Sequence, residues 1–546
     1  MITAPRGTAL QEVFQILEKP GQAPIVGAVV NGKLGELSYQ VEMDIEARPV
    51  RTSEADGKRF YRRSLTFLLE RGFHDIYPEV ILNIDHSITS GGYFCQVYRR
   101  SPLSAEELEL VENRMHELVE ADIPFERIKV PLEEGIRLFE KWGFRDKVRL
   151  LAHRKKDYLT LYKLEDHLDY HHGYMVPSTG YLQWFDLEPM EEGFILRFPR
   201  QGSPTTLQPA RKSSTLLNIF QRYGRWLQRL GIDSVGALND AITASKIRKI
   251  ILVSEALHEQ HIAELAWRIE EHSNELDVIL IAGPSSSGKT TFAKRLTIQL
   301  LARGISPYSL EMDNFFVDRD KTPRDDDGNL NFEALEAVNR QRLSHDLEKL
   351  IQGEEVTLPY YDFQKGKSTP GEVVQLKPGQ IIILEGIHGL NPDLIPSISP
   401  QRTYRIYVSA LTQLNLDRHN RVSTTDTRLI RRIVRDAWDR GYSAKDTIDR
   451  WESVRRGEKE YIFPYQDQAD VMFNSALAYE LAALKPLAEP LLRQVPHGTP
   501  ARIEAKRLLA FLEWFLPLES EMIPENSILR EFIGGSNLRD FKLWEA

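Results

Sequence analysis

Short apolar runs and amphipathic stretches alternate along the chain, and the two patterns divide it into regions. Residues 1–50 hold short strand-like runs, with a turn at Asn31-Gly32-Lys33 that predicts a β-hairpin. Residues 51–200 mix strand and helix patterns, and Ser104 with Glu107 predicts a capping box at a helix start. Residues 201–211 are polar and rich in Pro, Ser and Thr, which is typical of a linker.

The second half of the chain has a different pattern. Residues 212–275 have helical spacing, and residues 276–485 alternate buried-strand runs with helices. That alternation predicts an α/β fold with a parallel sheet flanked by helices. An amphipathic helix is predicted around residues 501–516 of the tail. We therefore predict domain limits of 1–50, 51–200, 201–275 (linker and helical connector), 276–485 and 486–546.

A glycine-rich loop lies between a predicted strand and a predicted helix. It reads Gly283-Pro284-Ser285-Ser286-Ser287-Gly288-Lys289-Thr290, with an apolar run ending at Ala282 before it and a helix from Thr291 after it. Strand, loop and helix together are the setting of a phosphate-binding loop. We expect residues 283–291 to bind ATP, with Lys289 at the terminal phosphates and the Thr290 hydroxyl on Mg²⁺. A Gly/Ser-rich surface turn is the alternative.

Two acidic residues follow the next apolar strands. Asp313 comes after the run at residues 306–312, and Glu385 closes the run at residues 380–384. Ligands of open parallel sheets bind beyond the carboxyl ends of the strands, so both carboxylates are candidates for the site. Glu385 is the candidate for the metal or its waters. For Asp313 the alternative is a cap on the following helix.

Four arginines recur at helical spacing later in the chain. Arg428, Arg431, Arg432 and Arg435 are spaced i, i+3, i+4 and i+7, which predicts that they share one helical face. With a phosphate loop upstream, we interpret the stripe as a lid over ATP, because guanidinium groups bind phosphate oxygens in pairs. A solvated face is the alternative.

Residues 276–485 resemble the uridine kinase and phosphoribulokinase family of P-loop kinases. The matching stretches, in order, are GPSSSGKTTFAKRL, MDNFF, NFEALEAV, LPYYDF, ILEGIHGL, TRLIRRIVRD and QADVMFNS. The resemblance implies an ATP- and Mg²⁺-dependent kinase in which Asp313 deprotonates the acceptor hydroxyl. It places Glu385 by Mg²⁺, Arg432 and Arg435 at the lid and substrate end, and Tyr361 and Phe363 in the acceptor pocket.

The chain departs from uridine kinases at the positions that contact the nucleoside. Uridine kinases have Asp at Glu333, a base-contacting His at Gly366, Arg at Tyr442 and Gln at Arg450. None of these differences falls on the phosphate chemistry. The resemblance therefore implies a kinase, most directly of a nucleoside 5′-hydroxyl, and leaves the identity of the base open, because discrimination depends on the missing hydrogen-bonding groups.

Residues 25–200 resemble the N-terminal region of threonyl-tRNA synthetase. IVGAVVNGKLGELSY is similar to the end of its small TGS domain, and RRSLTFLLERGFHDIYPEV, GGYFCQV, ENRMHELVEADIPF and HHGYMVPSTGYLQWFDL are similar to its editing domain. The four editing-pocket positions fall on Phe67, Arg71, His171 and Met175, of which His171 alone can bind a metal or carry a proton. We predict no hydrolytic editing, and the adjacent His171 and His172 near His167 disfavour a zinc site.

The role of this region stays open. It could bind RNA, with help from Arg62-Arg63, Arg99-Arg100 and Arg154-Lys155-Lys156, or sense a small ligand; structural charge is the alternative reading of those pairs. The rival to a small-molecule kinase is an RNA-binding, translation-linked nucleotide hydrolase, or a kinase that acts on RNA.

Composition adds limits of its own. A formal net charge of −9 disfavours a general nucleic-acid-binding surface, and the single cysteine, Cys95, excludes an internal disulfide. No apolar run approaches the ~20 residues of a membrane span, and the first residues lack a signal-peptide pattern. We expect a cytoplasmic protein without a membrane partner. Because kinases of this family often self-associate, a homo-oligomer is expected.

Overall fold

The structure is a computed structural model that describes residues 2–19, 21–88, 91–209, 214–325, 328–412 and 414–541, with side chains at all of these except 214–218 and 221. The strands are β1 Thr8–Ala9, β2 Ile25–Val30, β3 Lys33–Gly35, β4 Gln40–Val41, β5 Ala47–Arg51, β6 Ile81–Ile88, β7 Gly92–Tyr98, β8 Glu126–Pro131, β9 Tyr158–Leu164, β10 His167–Asp169, β11 Asp186–Met190, β12 Gly193–Arg197, β13 Val278–Ala282, β14 Pro307–Glu311, β15 Val356–Asp362, β16 Lys367–Val374, β17 Ile381–Glu385, β18 Thr403–Ser409 and β19 Val471–Asn474.

The α-helices are α1 Leu10–Phe14, α2 Ala55–Ile76, α3 Ala105–Glu120, α4 Leu132–Lys141, α5 Arg145–Leu151, α6 Ser214–Leu230, α7 Val235–Thr243, α8 Ile247–Glu271, α9 Lys289–Leu301, α10 Arg340–Ile351, α11 Thr424–Asp439, α12 Ala444–Gly457, α13 Glu480–Arg493, α14 Pro500–Leu512 and α15 Arg530–Ile533. Among these described helices, each is too short or too polar to serve as a membrane span.

A parallel sheet organises the second half of the chain. Its strand order is β14-β17-β13-β18-β19, and every neighbouring pair is parallel. β13 is buried along its whole length, as its continuous apolar sequence predicts. The chain passes from β13 to β14 on one side of β13, and later crosses from β17 to β18 on the other side, and such a reversal of strand order opens a crevice at the carboxyl ends of the strands. The predicted parallel α/β fold is confirmed.

The described sheets of the first 200 residues are antiparallel and alternate with helices α1 to α5. Their strand orders are β1-β4, β3-β2-β5, β11-β12-β7-β6 and β10-β9-β8. The hairpin between β2 and β3 turns at Asn31 and Gly32, which have φ of 47° and 72°, as the turn sequence predicts. The capping box is present: the N–H of Glu107 donates to the Ser104 hydroxyl, and the N–H of Ser104 donates to the Glu107 carboxylate. Cys95 is buried in β7.

The largest hydrophobic cluster crosses the predicted domain limits. It joins Leu150, Ile251, Ile281 and Leu512, which come from four of the predicted regions. Helix α13 also runs through the limit predicted at residue 485. The N-terminal region, the helical connector and the tail therefore pack against the parallel sheet, and the domain limits stay predictions.

Candidate active site

The phosphate loop, residues 283–290, connects β13 to α9 at the carboxyl edge of the sheet. Ser286 and Gly288 have left-handed φ values of 57° and 88°, a backbone arrangement typical of anion-binding nests. The N–H of Ser285 donates to the buried carboxylate of Glu458 at 3.2 Å. The loop therefore already binds an anionic oxygen through its backbone.

Two of the four arginines lie beneath this loop. Arg428 and Arg431 are 1% and 0% exposed. Arg428 donates to the Ser285 carbonyl at 2.9 Å and pairs with Glu458. Arg431 donates to Glu480 at 2.7 Å and also reaches loop carbonyls. The prediction that all four guanidinium groups form one lid is wrong for these two, because buried carboxylates compensate their charge and hold them under the loop.

Arg432 and Arg435 lie on the open side of the same helix. Arg432 donates to the Ser285 hydroxyl at 2.9 Å and to Asp436 at 3.2 Å. Arg435 binds Asp436 at 2.9 Å. Shared Asp436 holds both guanidinium groups beside the loop while leaving donors free for a ligand.

Glu385 and Lys289 meet at the edge of the crevice. The Thr290 hydroxyl donates to Glu385 at 3.1 Å, and the Lys289 ammonium lies 3.8 Å from its other oxygen. Burial raises the pKa of Glu385 to about 7, with Lys289 opposing the shift. A hydroxyl and a carboxylate side by side provide the oxygen donors that a hard divalent cation prefers.

Asp313 follows β14, one strand beyond Glu385. Its side chain is open to solvent within the crevice, yet nearby protein atoms limit its hydration and raise its pKa, opposed by Lys289, Arg440 and Arg435. Among the described residues its carboxylate accepts no hydrogen bond, and Asn339 caps the next helix, α10. The capping alternative for Asp313 is therefore not supported.

Glu333 lies within electrostatic reach of Lys289, Arg432 and Asp313. Burial raises its pKa to about 7, opposed by Arg432, and Glu458, Lys289 and Asp313 all act on it. Its side chain packs tightly against Gly457 at the end of α12, where an added Cβ atom would lie 2.3 Å from the Cβ of Glu333. The structure therefore brings predicted site residues from four elements to one crevice: the ends of strands β14 and β17, and helices α9 and α11.

Aromatic side chains cluster beside Asn314, the residue after Asp313. Asn314 Oδ1 accepts a hydrogen bond from the Tyr361 N–H at 3.5 Å. Tyr361 is buried and contacts Phe363 edge-on with ring centres 5.0 Å apart, while Phe363 is 55% exposed. Phe316 contacts both rings. The Tyr361 hydroxyl is buried without a hydrogen-bond partner among the described residues. An apolar wall with one free hydroxyl is suited to a flat ligand with polar edges.

Of the four positions that differ from uridine kinases, Tyr442 and Arg450 contact each other, and Gly366 contacts Arg319. The Arg319 guanidinium occupies the space next to Gly366, where a Cβ atom would lie 2.5 Å from its Nε. Arg450 stacks on the ring of Tyr442, 4.6 Å from its centre. Two exchanged positions therefore compensate each other, and a third is filled by a guanidinium.

Sequence patterns gave no sign that the tail reaches the phosphate loop. The N–H of Thr291 donates to Glu531 at 3.1 Å, and Ile528 packs on Gly288, where a Cβ atom would lie 2.5 Å from it. The Lys294 ammonium donates to backbone carbonyls of the tail. The contacts lie about 240 residues apart in sequence, so no local pattern predicts them.

Comparison with known families agrees with this geometry. Residues 278–481 match the Phosphoribulokinase / Uridine kinase family. The resemblance inferred from the sequence for the second half is confirmed. Among solved structures, D-glycerate 3-kinase from Cryptococcus neoformans is 15% identical, with a TM-score of 0.21, and the match covers 50% of this chain and 87% of that one.

The N-terminal region is similar to a different class of protein, also as expected. A threonine–tRNA ligase of Clostridium kluyveri is 34% identical over 156 residues, and that of Acidithiobacillus ferrooxidans is 36% identical over 160 residues. The matches cover 28% and 29% of this chain. They cover 24% and 25% of the ligases, so the chain spans about a quarter of the length of these relatives.

Two of the four residues expected at editing-pocket positions are apolar. Phe67 and Met175 are buried, and Phe67 contacts His171 edge-on at 5.1 Å. Arg71 pairs with acidic residues: Asp75, Glu165 and Asp166.

The basic pairs differ in their surroundings. Arg62 stacks on Phe198, 4.2 Å from the ring centre, and Arg63 donates to the Tyr174 carbonyl. Arg154 lies 4.5 Å from the centre of the Trp514 ring. At these three positions the contacts favour the structural reading of the charge over an RNA-binding surface.

Proposed function

We propose that the chain transfers the γ-phosphoryl group of ATP to a hydroxyl of a small molecule, and that the acceptor is the 5′-hydroxyl of a nucleoside. The kinase-family match supports the reaction type. The positions that differ from uridine kinases leave the base undetermined, so we propose the nucleoside class and not a particular base.

One observation carries the proposal: the Asp313 carboxylate lies in the crevice of the phosphate loop without a hydrogen bond from a described residue, within the electrostatic reach of Lys289 and Arg435. A switch that only hydrolyses nucleotide does not need an acid on the acceptor side. A kinase does, because the attacking hydroxyl must lose its proton.

The residues divide the chemistry among them. Asp313 accepts the proton of the acceptor hydroxyl as it attacks phosphorus. Lys289, Arg432 and Arg435 stabilise the charge that spreads over the transferring group. Tyr361 and Phe363 hold the acceptor against the aromatic wall and keep water from the attacking position.

The loop fits a triphosphate, since its Ser285 and Thr291 N–H groups already donate to carboxylates in place of phosphate oxygens. Thr290 and Glu385 would hold Mg²⁺, which would neutralise phosphate charge when bound. Glu333 is proposed to contact the acceptor, where uridine kinases use an aspartate.

A substrate panel tests the acceptor. Purified full-length protein is incubated with γ-labelled ATP and separate nucleosides, sugars or ribulose phosphate, and labelled products are resolved chromatographically. We expect label on one or more nucleosides and on none of the sugars. Label on a sugar alone would support the proposed kinase activity and overturn the proposal that the acceptor is a nucleoside.

RNA provides the discriminating arm. If no small molecule is labelled and added tRNA accelerates ATP hydrolysis, the result would support a translation-linked nucleotide hydrolase and overturn the small-molecule kinase. Label transferred to the RNA itself would instead identify a kinase acting on RNA.

The Mg²⁺ requirement should depend on pH through Glu385. A cation competes with a proton for this carboxylate, whose pKa is about 7. Below that pKa the apparent Mg²⁺ affinity is expected to fall by up to about tenfold per pH unit, and above it to level off. Initial rates at varied Mg²⁺ and pH measure this, with Glu385→Gln as the reference. A pH-independent requirement would argue against Glu385 as a ligand.

Glu531 should weaken ATP binding. Its carboxylate occupies the Thr291 N–H, a group of the first helical turn that serves phosphates in such loops. Glu531→Gln is expected to tighten ATP binding about tenfold, or ~1.4 kcal/mol, because a negative competitor becomes neutral. Isothermal titration measures the change, and the exposed Glu525→Gln in the same segment is the control. Weaker ATP binding by Glu531→Gln, with unchanged binding by Glu525→Gln, would contradict this prediction and show that the Glu531 carboxylate stabilises the ATP site.

A further inference from the structure

A second cluster of ionisable groups is buried where the N-terminal region meets the kinase-family segment. It contains Glu70 of α2, Asp169 at the end of β10, His171 just after it, and His419 from the loop between β18 and α11. Each is at most 9% exposed. The proposed phosphoryl transfer uses none of them.

The donor atoms of these four residues lie close together. His171 Nε2 is 3.2 Å from one oxygen of Glu70, and His419 Nδ1 is 3.2 Å from the other. His419 Nδ1 is also 2.7 Å from Asp169 Oδ2. The ligand atoms of Glu70, Asp169 and His171 all lie within 4.8 Å of one another.

Several of these atoms lack the partners that burial demands. Both oxygens of Glu70 and His171 Nε2 have no hydrogen-bond partner among the described residues, although the nitrogen and an oxygen are 3.2 Å apart. At that distance, the missing bond means that the atoms are not directed at each other. Buried polar groups are nearly always satisfied, so this exception points to a missing partner.

The charges of the cluster do not balance without an addition. Asp417 joins the cluster through Lys147, whose ammonium lies 3.2 Å from Asp417 and 2.8 Å from Asp169. Three carboxylates and one ammonium leave two negative charges in a buried space. Two protonated imidazoles or one divalent cation would restore neutrality, and a large net buried charge is not stable.

The spacing suits the cation. Ligand atoms of a tetrahedral zinc site with bonds of about 2.0–2.1 Å lie about 3.3 Å apart. The separation of 3.2 Å between His171 Nε2 and Glu70 Oε1 approaches this value, and the ligand atoms of Glu70, Asp169 and His171 all lie within 4.8 Å of one another. Lys147 and the Tyr170 N–H bind Asp169 Oδ1, and His419 Nδ1 lies within hydrogen-bond distance of Oδ2, at 2.7 Å. An imidazole with two carboxylates suits zinc better than Mg²⁺ or Ca²⁺.

We propose that Glu70, Asp169 and His171 bind one divalent transition-metal ion, with zinc as the best match to the donor set and His419 as the hydrogen-bond partner of Asp169. Of the three histidines considered in the sequence as zinc ligands, the site uses His171 alone. Through the contact between His419 and Asp169, the ion would connect the N-terminal region to residues 414–422, which lead into α11 and its arginines. The loop is already anchored by Arg418, which donates to Asp146 at 2.6 Å.

Metal content of the full-length protein tests the proposal. The protein is produced in medium supplemented with zinc, manganese and iron, purified without chelators, and measured by mass spectrometry. We expect about one ion per chain, falling below about a tenth in Glu70→Gln and His171→Gln. His172→Gln, an adjacent imidazole that faces Trp514, is the matched control and should retain the ion.

A Co²⁺ titration tests the wild-type protein directly, so its result does not depend on whether the variants fold. Stripped wild-type protein titrated with Co²⁺ should develop visible absorption bands that saturate at one equivalent. Less than about a tenth of an ion per chain in the wild type together with no Co²⁺ bands overturns the proposal. Equal retention of metal by all variants would also overturn it, by placing the ion elsewhere.

The alternative has its own signature. Burial lowers the pKa of His419, but Glu70 and Asp169 raise it to about 9. If protons neutralise the cluster, their stabilisation is complete below the ordinary imidazole pKa and is lost as pH rises through about 9. A melting temperature that falls over that range in metal-free protein, with no gain on adding zinc, would overturn the metal site in favour of a proton network.

Discussion

Lys289→Ala is expected to lower the rate of phosphoryl transfer by about 10²–10³-fold, the range seen when one charge-stabilising donor is removed from an active site. The ammonium lies 3.8 Å from Glu385 and acts on Asp313 across the crevice. Lys289 is the first residue of α9, and its loss removes the ammonium proposed to reach the terminal phosphates.

The fold should survive this change. Glu385 loses a cation, but its pKa is already about 7, so it can take up a proton instead of remaining charged. Product formation and circular dichroism are measured together, with Lys445→Ala as a control because Lys445 is paired only with exposed Asp449 on α12. A rate within tenfold of wild type would remove Lys289 from the mechanism.

Asp313→Asn is expected to reduce kcat by about 10³-fold, within the range for loss of a general base. Asparagine preserves the shape but cannot accept the proton of the acceptor hydroxyl. ATP binding should be unchanged or slightly tighter, because a negative charge near the phosphates disappears. Single-turnover transfer and isothermal titration of ATP separate the two effects.

The control for this variant is Asp320→Asn, an exposed aspartate in the segment that follows. It should transfer at the wild-type rate. Near-wild-type transfer by Asp313→Asn would refute the assignment of the base, and equal loss of ATP binding and transfer would indicate a role in nucleotide binding.

Features with a local signal were predictable from the sequence. The phosphate loop needs contiguous residues and flanking elements, so its spelling predicts its structure. Asp313 and Glu385 follow apolar strands, and parallel strands bring such ends together regardless of loop length. The Ser104 capping box and the Asn31-Gly32 turn likewise depend on neighbours within four residues.

Features that depend on distant partners were not predictable. The spacing of the four arginines fixes their helical face but not what covers it. Glu458 and Glu480, which lie 30 and 49 residues from their partners, decide that Arg428 and Arg431 are buried. The contact of Glu531 with the loop and of His419 with Asp169 span 240 and 250 residues, and no periodicity reports such pairings.

The two arginines beneath the phosphate loop have a consequence for recognition. Arg428 and Arg431 bind the carbonyl groups of Ser285, Ser286 and Ser287 from the buried side of the loop. The phosphate loop is thus ordered before a ligand binds. The conformational entropy of the loop is lost when the protein folds, so ligand binding does not have to offset it. Substitution of Glu458 or Glu480 would therefore make the phosphate loop less rigid, although neither carboxylate is proposed to contact the ligand.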